Sequence, residues 1–183
     1  MKVRAILKSF VIAGLMASTT AHADIGIKNF RQIVQSYSSL TGVPVTDADV
    51  KATIDETQSR LPKFGKPDEV NSAMLLAMTS LSGMFCQKMI ASDMTKAMGQ
   101  RRAHNTVDFT KIPSTYSDDA RKAIVDEYAQ LFWGRSATDA EKMALIKTFQ
   151  DLQVSGGDNV DGLQKALKAT CTVVGSSQEF FMY

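Results

Sequence analysis

Few side chains in this sequence could do chemistry, and their spacing narrows what that chemistry could be. Of the two histidines, His22 falls in an N-terminal stretch treated below, so His104 stands alone within residues 24–183. A Ser-His-Asp or Cys-His relay would have to run through it, and no G-x-S-x-G turn is present to expose a serine. Zinc requires close nitrogen and sulfur ligands, and His104 with Cys86 and Cys171 forms neither a C-x-x-C nor an H-E-x-x-H pair. The acidic pairs Asp47/Asp49, Asp118/Asp119 and Asp126/Glu127 fall in first helical turns or on polar faces, where helix dipole and solvent account for them. A carboxylate-dependent hydrolase would need two such groups across a cleft, and stands as an alternative. The loop Gly156 to Gly162, GGDNVDG, lacks the alternating acids and closing glutamate of an EF-hand, and reads as a cap and turn.

Methionine is the one soft ligand in supply. Met74, Met78, Met84, Met89, Met94 and Met98 crowd one region, and Met74/Met78 and Met94/Met98 are M-x-x-x-M pairs that place two sulfurs on one helical face. Thioethers of this kind hold Cu(I); methionine at helical spacing also fills cores and forms adaptable contact surfaces. The first use gives an alternative function, a periplasmic Cu(I)-binding protein using Met74, Met78, Met94 and Met98.

Export sets the context for these side chains. Lys2, Arg4 and Lys8 surround an apolar run from Phe10 to Met16, followed by small residues ending Ala21-His22-Ala23. This is the pattern of a secretory signal, with cleavage expected between Ala23 and Asp24. The run is too short for a bilayer of about 30 Å, and no stable membrane insertion is expected after cleavage. Without residues 1–23 the basic count is 18 against 19 acidic residues. A balance near −1 argues against nucleic acid, which requires a concentrated basic surface. Arg101-Arg102 and Arg121-Lys122, the adjacent basic pairs of residues 24–183, read as solvated helix surface. In a periplasmic or secreted protein, two cysteines predict one disulfide, Cys86 to Cys171.

The elements that must carry these residues repeat. A shift of 91 residues aligns Ile33, Val34, Tyr37 and Leu40 with Ile124, Val125, Tyr128 and Leu131; a shift of 92 then matches Gly42, Thr46, Asp47 and Ala48 with Gly134, Thr138, Asp139 and Ala140. The second shift continues through Ala52/Ala144, Ile54/Ile146, Gln58/Gln150, Gly65/Gly157, Leu75/Leu167, Ala77/Ala169 and Gly83/Gly175, which points to internal duplication. The Ile-Val-Tyr-Leu spacing puts four apolar residues on one face of a first helix, capped by the glycine that follows. Thr138 with Glu141 is a capping box for a second helix, and Thr46 with Asp49 a weaker copy. After the polar links around Gly65 and Gly157, Pro67 and Asp158 suit the start of a third helix, carrying Met74, Met78, Leu81 and Phe85 in one half and Leu163, Leu167, Thr170 and Val174 in the other. Only Thr172 to Val174 is ambiguous between helix and strand. The expected fold is therefore all-α: a signal peptide (1–23), a first three-helix repeat (24–100), a linker (101–115) that docks through Val107, Phe109, Ile112 and Tyr116, and a second repeat (116–183) capped by Ser117, packed into one body.

The second half also carries Tyr128-x-x-Leu131-x-x-Gly134-Arg135-x-x-Thr138-x-x-Glu141, and near the end Ser177-x-Glu179-Phe180. This pattern resembles a helical module of planctomycete-type cytochrome-associated secreted proteins and of phycobilisome-linker-like scaffolds. The first half departs from it, with Thr41-Gly42-Val43 at the Gly-Arg step. The resemblance implies a helical, non-catalytic interaction module; haem is not implied, since no C-x-x-C-H occurs. The expected function is an exported scaffold or interaction protein with a protein partner, no catalysis and no cofactor. Trp133, at the insertion between the two alignment shifts, with Phe132 and Arg135, is the leading candidate contact surface, because Trp and Arg dominate binding hot spots; packing between the halves is the other reading. Phe180, Phe181 and Tyr183 form a second candidate, able either to seal the core or to present a docking peptide.

Overall fold

The structure is a computed structural model and describes residues 27–60 and 72–182. The expected signal peptide, Gly65, Pro67 and Tyr183 lie outside those residues. The described chain is all-helical: α1 (Phe30–Thr41), α2 (Ala48–Thr57), α3 (Ser72–Met94), a 3-10 turn (Pro113–Thr115), α4 (Asp118–Trp133), α5 (Asp139–Gly156), α6 (Val160–Gly175) and α7 (Gln178–Phe181). Among the described residues the one β feature is an isolated antiparallel bridge between Ile27 and Met182.

Local signals place the helix ends. Gly42 and Gly134 adopt φ of 71° and 67°, the left-handed conformation that ends α1 and α4, and their N–H groups donate to Ser38 and Gln130 carbonyls. Ser117 caps α4 through Ala120 N–H, and Thr138 with Glu141 forms the complete capping box of α5. Two expected caps move by one residue. Asp47, not Thr46, accepts the Asp49 and Val50 N–H groups at the start of α2, since a carboxylate is the stronger acceptor at a positive helix end. Asn159, not Asp158, caps α6 by accepting from Gly162 N–H, while Asp158 turns outward to accept from Ser114 N–H. Thr172 to Val174 is helical, inside α6.

Helices α3 and α6 pack against each other at the centre; α2 lies on α3, α5 on α6, and α4 against both α5 and α6. The Cys86–Cys171 disulfide ties α3 to α6 across 85 residues of sequence, with Cα atoms 6.0 Å apart. The core is one cluster drawn from the whole described chain. At its heart Tyr37 of α1 stacks on Phe85 of α3 at 5.3 Å and on Phe180 of α7 at 4.5 Å, and Phe132 of α4 meets Phe180 edge-on at 5.6 Å. The Tyr37 hydroxyl donates to the Gly175 carbonyl at 2.9 Å, so its single polar atom is satisfied in an otherwise apolar site. Burial also pushes that phenol well above its ordinary ionisation range.

One contact in this packing is unforgiving. A Cβ on Gly162 would stand 1.8 Å from the Gly157 carbonyl oxygen, because the turn between α5 and α6 folds its backbone onto the first turn of α6. Gly162→Ala should therefore cost about 1–3 kcal/mol, as overpacking does. Gly156→Ala meets nothing closer than 3.6 Å and should be neutral or gain about 0.5 kcal/mol from reduced chain entropy; urea unfolding of the two variants checks the contrast. The disulfide predicts that quenched protein shows no free thiol by mass spectrometry. Replacing both cysteines with alanine should lower stability by about 4 kcal/mol, the chain-entropy value for so long a loop.

Candidate functional site

His104, the one histidine available for catalysis in the expected mature chain, is fully buried in the connection between α3 and α4. Its Nδ1 lies 2.8 Å from Asp93 Oδ2 and its Nε2 2.7 Å from the Tyr128 hydroxyl, which donates in turn to the Leu167 carbonyl at 3.2 Å. An Asp-His-Tyr row has the order of a relay, but all three side chains are inaccessible. Their work is to hold backbone. Asp93, at the last turn of α3, also accepts the Arg102 and Ala103 N–H groups at 2.8 and 3.1 Å, with the Lys96 ammonium 3.6 Å away. Burial pushes the Asp93 carboxyl upward, yet the hydrogen bonds from His104, Arg102 and Ala103 outweigh it and hold the group below its ordinary value. Burial also raises the Tyr128 phenol well above its usual range, keeping it a neutral hydroxyl.

In the same connection Arg101 departs from the solvated-surface reading and is half-buried, while Arg102 stays exposed. Arg101 donates to the Lys96, His104 and Val107 carbonyls and lies over the Phe109 ring at 4.9 Å. Arg102 reaches the Leu40 and Ser39 carbonyls, capping the end of α1. Arg121 is also internal, over the Phe149 ring, with hydrogen bonds to Asp118, Pro113 and Gln153, while Lys122 stays at the surface with Asp119. A guanidinium offers several donors in a plane, and buried carbonyls at irregular bends require them.

The acidic pairs are likewise engaged. Asp47 and Asp49 share Lys88 at 3.1 and 2.6 Å, Asp118 and Asp119 meet Arg121 and Lys122, and Asp126 pairs with Lys142. Glu127 accepts the Asn105 and Thr106 N–H groups; burial raises its carboxyl against those bonds. The four-methionine site is ruled out by distance. Met74 and Met78 are buried near the start of α3, whereas Met94 and Met98 are exposed at and beyond its end. A rise of 1.5 Å per residue puts Met78 and Met94 about 24 Å apart, so the four sulfurs cannot meet on one ion.

The expected contact residues divide. Phe132, Phe180 and Phe181 are core, because α7 folds back under α4 and seals the aromatic stack; they are not a free surface. Trp133 is half-buried, and its indole N–H donates to Ser177 Oγ at 2.8 Å and to the Val174 carbonyl at 3.2 Å. Arg135 lies over the indole at 5.0 Å, forks onto both Glu141 oxygens at 2.9 and 3.0 Å, and meets Glu179 at 3.0 Å. The Glu141 carboxyl is held down at about 2, first by this guanidinium and then by the Thr138 N–H. The Gly-Arg, Thr-x-x-Glu and Ser-x-Glu-Phe words of the sequence thus meet in one staple joining α4, α5 and α7.

Two depressions of similar size stay open: one of about 560 Å³ beside α4, lined by Arg102, Asn105, Asp126, Glu127 and Gln130, and a groove with α3 as its floor and α2 and α6 as its walls. The groove encloses about 610 Å³, with Gly83 and Met84 below, Thr53 and Glu56 on the α2 side, and Lys168 and Val173 on the α6 side. A smaller depression of about 320 Å³ continues it toward Met94 and shares Gln87, Lys165 and Lys168. The exposed face of α3, running through Leu75, Leu76, Thr79, Ser80, Gln87, Ala91 and Met94, bears no charge. By length and composition alone α3 could cross a membrane; its other face is the buried core. Sequence reasoning found the buried stripe of α3 but not the groove, since the neighbours that wall it come from elsewhere in the chain. The uncharged outer stripe was the available signal. Comparison with protein-family models, curated proteins and solved structures found no match.

The Asp93 geometry yields a pH test. A carboxyl whose folded value is depressed contributes stability that is present above its unfolded value and lost as pH falls through the folded one. Asp93→Asn should cost about 2 kcal/mol at pH 7, by half-satisfying a buried network, and the gap to the parent should close as the pH falls below the ordinary carboxylate range. Urea midpoints along an acid series measure it.

Proposed function

We propose that this chain is an exported, non-catalytic interaction protein that binds another protein through the open groove over α3. The observation that carries this reading is the outer face of α3, where the exposed residues Leu75, Leu76, Thr79, Ser80, Gln87, Ala91 and Met94 are all uncharged. The reading of residues 1–23 as a secretory leader supports export, as does the use of both cysteines in one disulfide. Duplication of a three-helix unit is part of the same proposal. It is supported by the identities at shifts of 91 and 92, by the order α1-α2-α3 then α4-α5-α6, and by matching glycine caps at Gly42 and Gly134. The resemblance of the second half to scaffold modules points the same way. Catalysis is not proposed, because the side chains that could perform it are engaged in holding helices and backbone together.

A photo-crosslinking residue at Val173, on the groove wall, should capture a discrete protein from an extract of the native host, while the same residue at the exposed Met143 of α5 should not. Equal labelling at both positions, or none at either, would overturn the reading.

A further inference from the structure

The groove has a polarity that its occupant must answer, and this inference rests on the interaction reading above. On the α6 wall, Lys165 and Lys168 stand one turn apart. Lys165 pairs with Asp161 of its own helix at 2.6 Å, but the Lys168 ammonium has only the neutral Gln87 amide oxygen, at 2.7 Å, and meets no carboxylate among the described residues. On the α2 wall, Glu56 is exposed and reaches Arg60 only at 4.0 Å. The floor between them is small or apolar, with Ser80, Gly83 and Met84, and Ala169 continues it at the foot of the α6 wall. Opposite charges thus flank an uncharged trough.

Each part of this arrangement restricts the ligand. Small residues on the floor let another backbone approach to the 8–10 Å interaxial distance of packed helices. The open length from Thr79 to Met94, about 22 Å at 1.5 Å per residue, suits about four turns of helix. A flexible acyl chain would leave both walls unanswered, because it has no second charge to set against Glu56. We propose that the groove takes an amphipathic helix of another protein, apolar or small on its buried face, with carboxylates along the edge facing Lys168 and basic residues along the edge facing Glu56. The unpaired ammonium supplies orientation and selectivity, and the apolar floor supplies most of the affinity.

Fluorescence anisotropy with two labelled synthetic helices of about 20 residues tests this. Both carry a Leu/Ala face; one has Glu on the Lys168 edge and Lys on the other, and its counterpart has the charges exchanged. The full mature protein should bind the first saturably and about two- to fivefold more tightly than the second, the preference one exposed ion pair provides. Lys168→Glu should invert that order. Val173→Glu, which places a charge on the apolar wall at a solvent-exposed position, should weaken both helices about tenfold or more. Circular dichroism of each variant confirms that it is folded. Equal binding of both helices by the parent, an order unchanged by Lys168→Glu, or failure to bind either helix would overturn the proposal. Adsorption to phosphatidylcholine vesicles in place of the helices would assign the groove to lipid instead. Because the probes are synthetic, their failure removes the helix assignment while the Val173 crosslink still decides whether a protein partner exists.

Discussion

The buried Asp93 carboxylate is the constraint on which the arrangement of the helices depends. A connection that enters a protein interior brings backbone groups that neither helix nor sheet can satisfy, and most connections therefore run over the surface. Here the segment after α3 goes inward, with Ala103, His104 and Val107 fully enclosed or nearly so. Asp93 makes this affordable by accepting two of its N–H groups and the His104 ring, while Arg101 supplies donors to three of its carbonyls. Through Tyr128 and Leu167 the same row of hydrogen bonds reaches α4 and α6. The end of α3 is thereby registered against α4 and α6.

That polar row and the Cys86–Cys171 bridge act at different heights on one face of α3, seven residues or about two turns apart. The disulfide limits how far α3 and α6 can separate, whereas the Asp93 network fixes where the chain leaves α3. On the far side of the bridge from that row lies the aromatic cluster of Tyr37, Phe85, Phe132 and Phe180, with the Tyr37 hydroxyl on the Gly175 carbonyl. With its inner face committed on three sides, α3 turns its uncharged outer face to solvent, and the groove follows from that commitment.

Much of the helical architecture was legible in the sequence because its signals are local. Glycine caps, the Thr138/Glu141 box, the Ser117 cap and the apolar faces of α1 and α4 depend on residues within a turn or two of each other. Asp47 displaced Thr46, and Asn159 displaced Asp158, because neighbouring residues competed to cap the same helix end. The candidate site was less legible. Nothing local tells Arg102 that the end of α1 will lie beside it, or Phe180 that Tyr37 will, since these contacts cross 62 and more residues of chain. A terminal aromatic cluster looks like surface when its partners are distant. The walls of the groove come from α2 and α6, so only assembly could reveal it.

The Tyr37 hydroxyl finds its acceptor 138 residues away, and the Tyr37 ring is covered by Phe180. The first three helices therefore cannot complete their own interior. A chain that ends before Cys171 leaves a product with an exposed phenol, an uncovered aromatic stack and an unpaired thiol at Cys86. Such a fragment displays the features that quality-control proteases recognise. Only a chain that extends through Phe180 hides them, so the core of the first three helices is completed by the last ones.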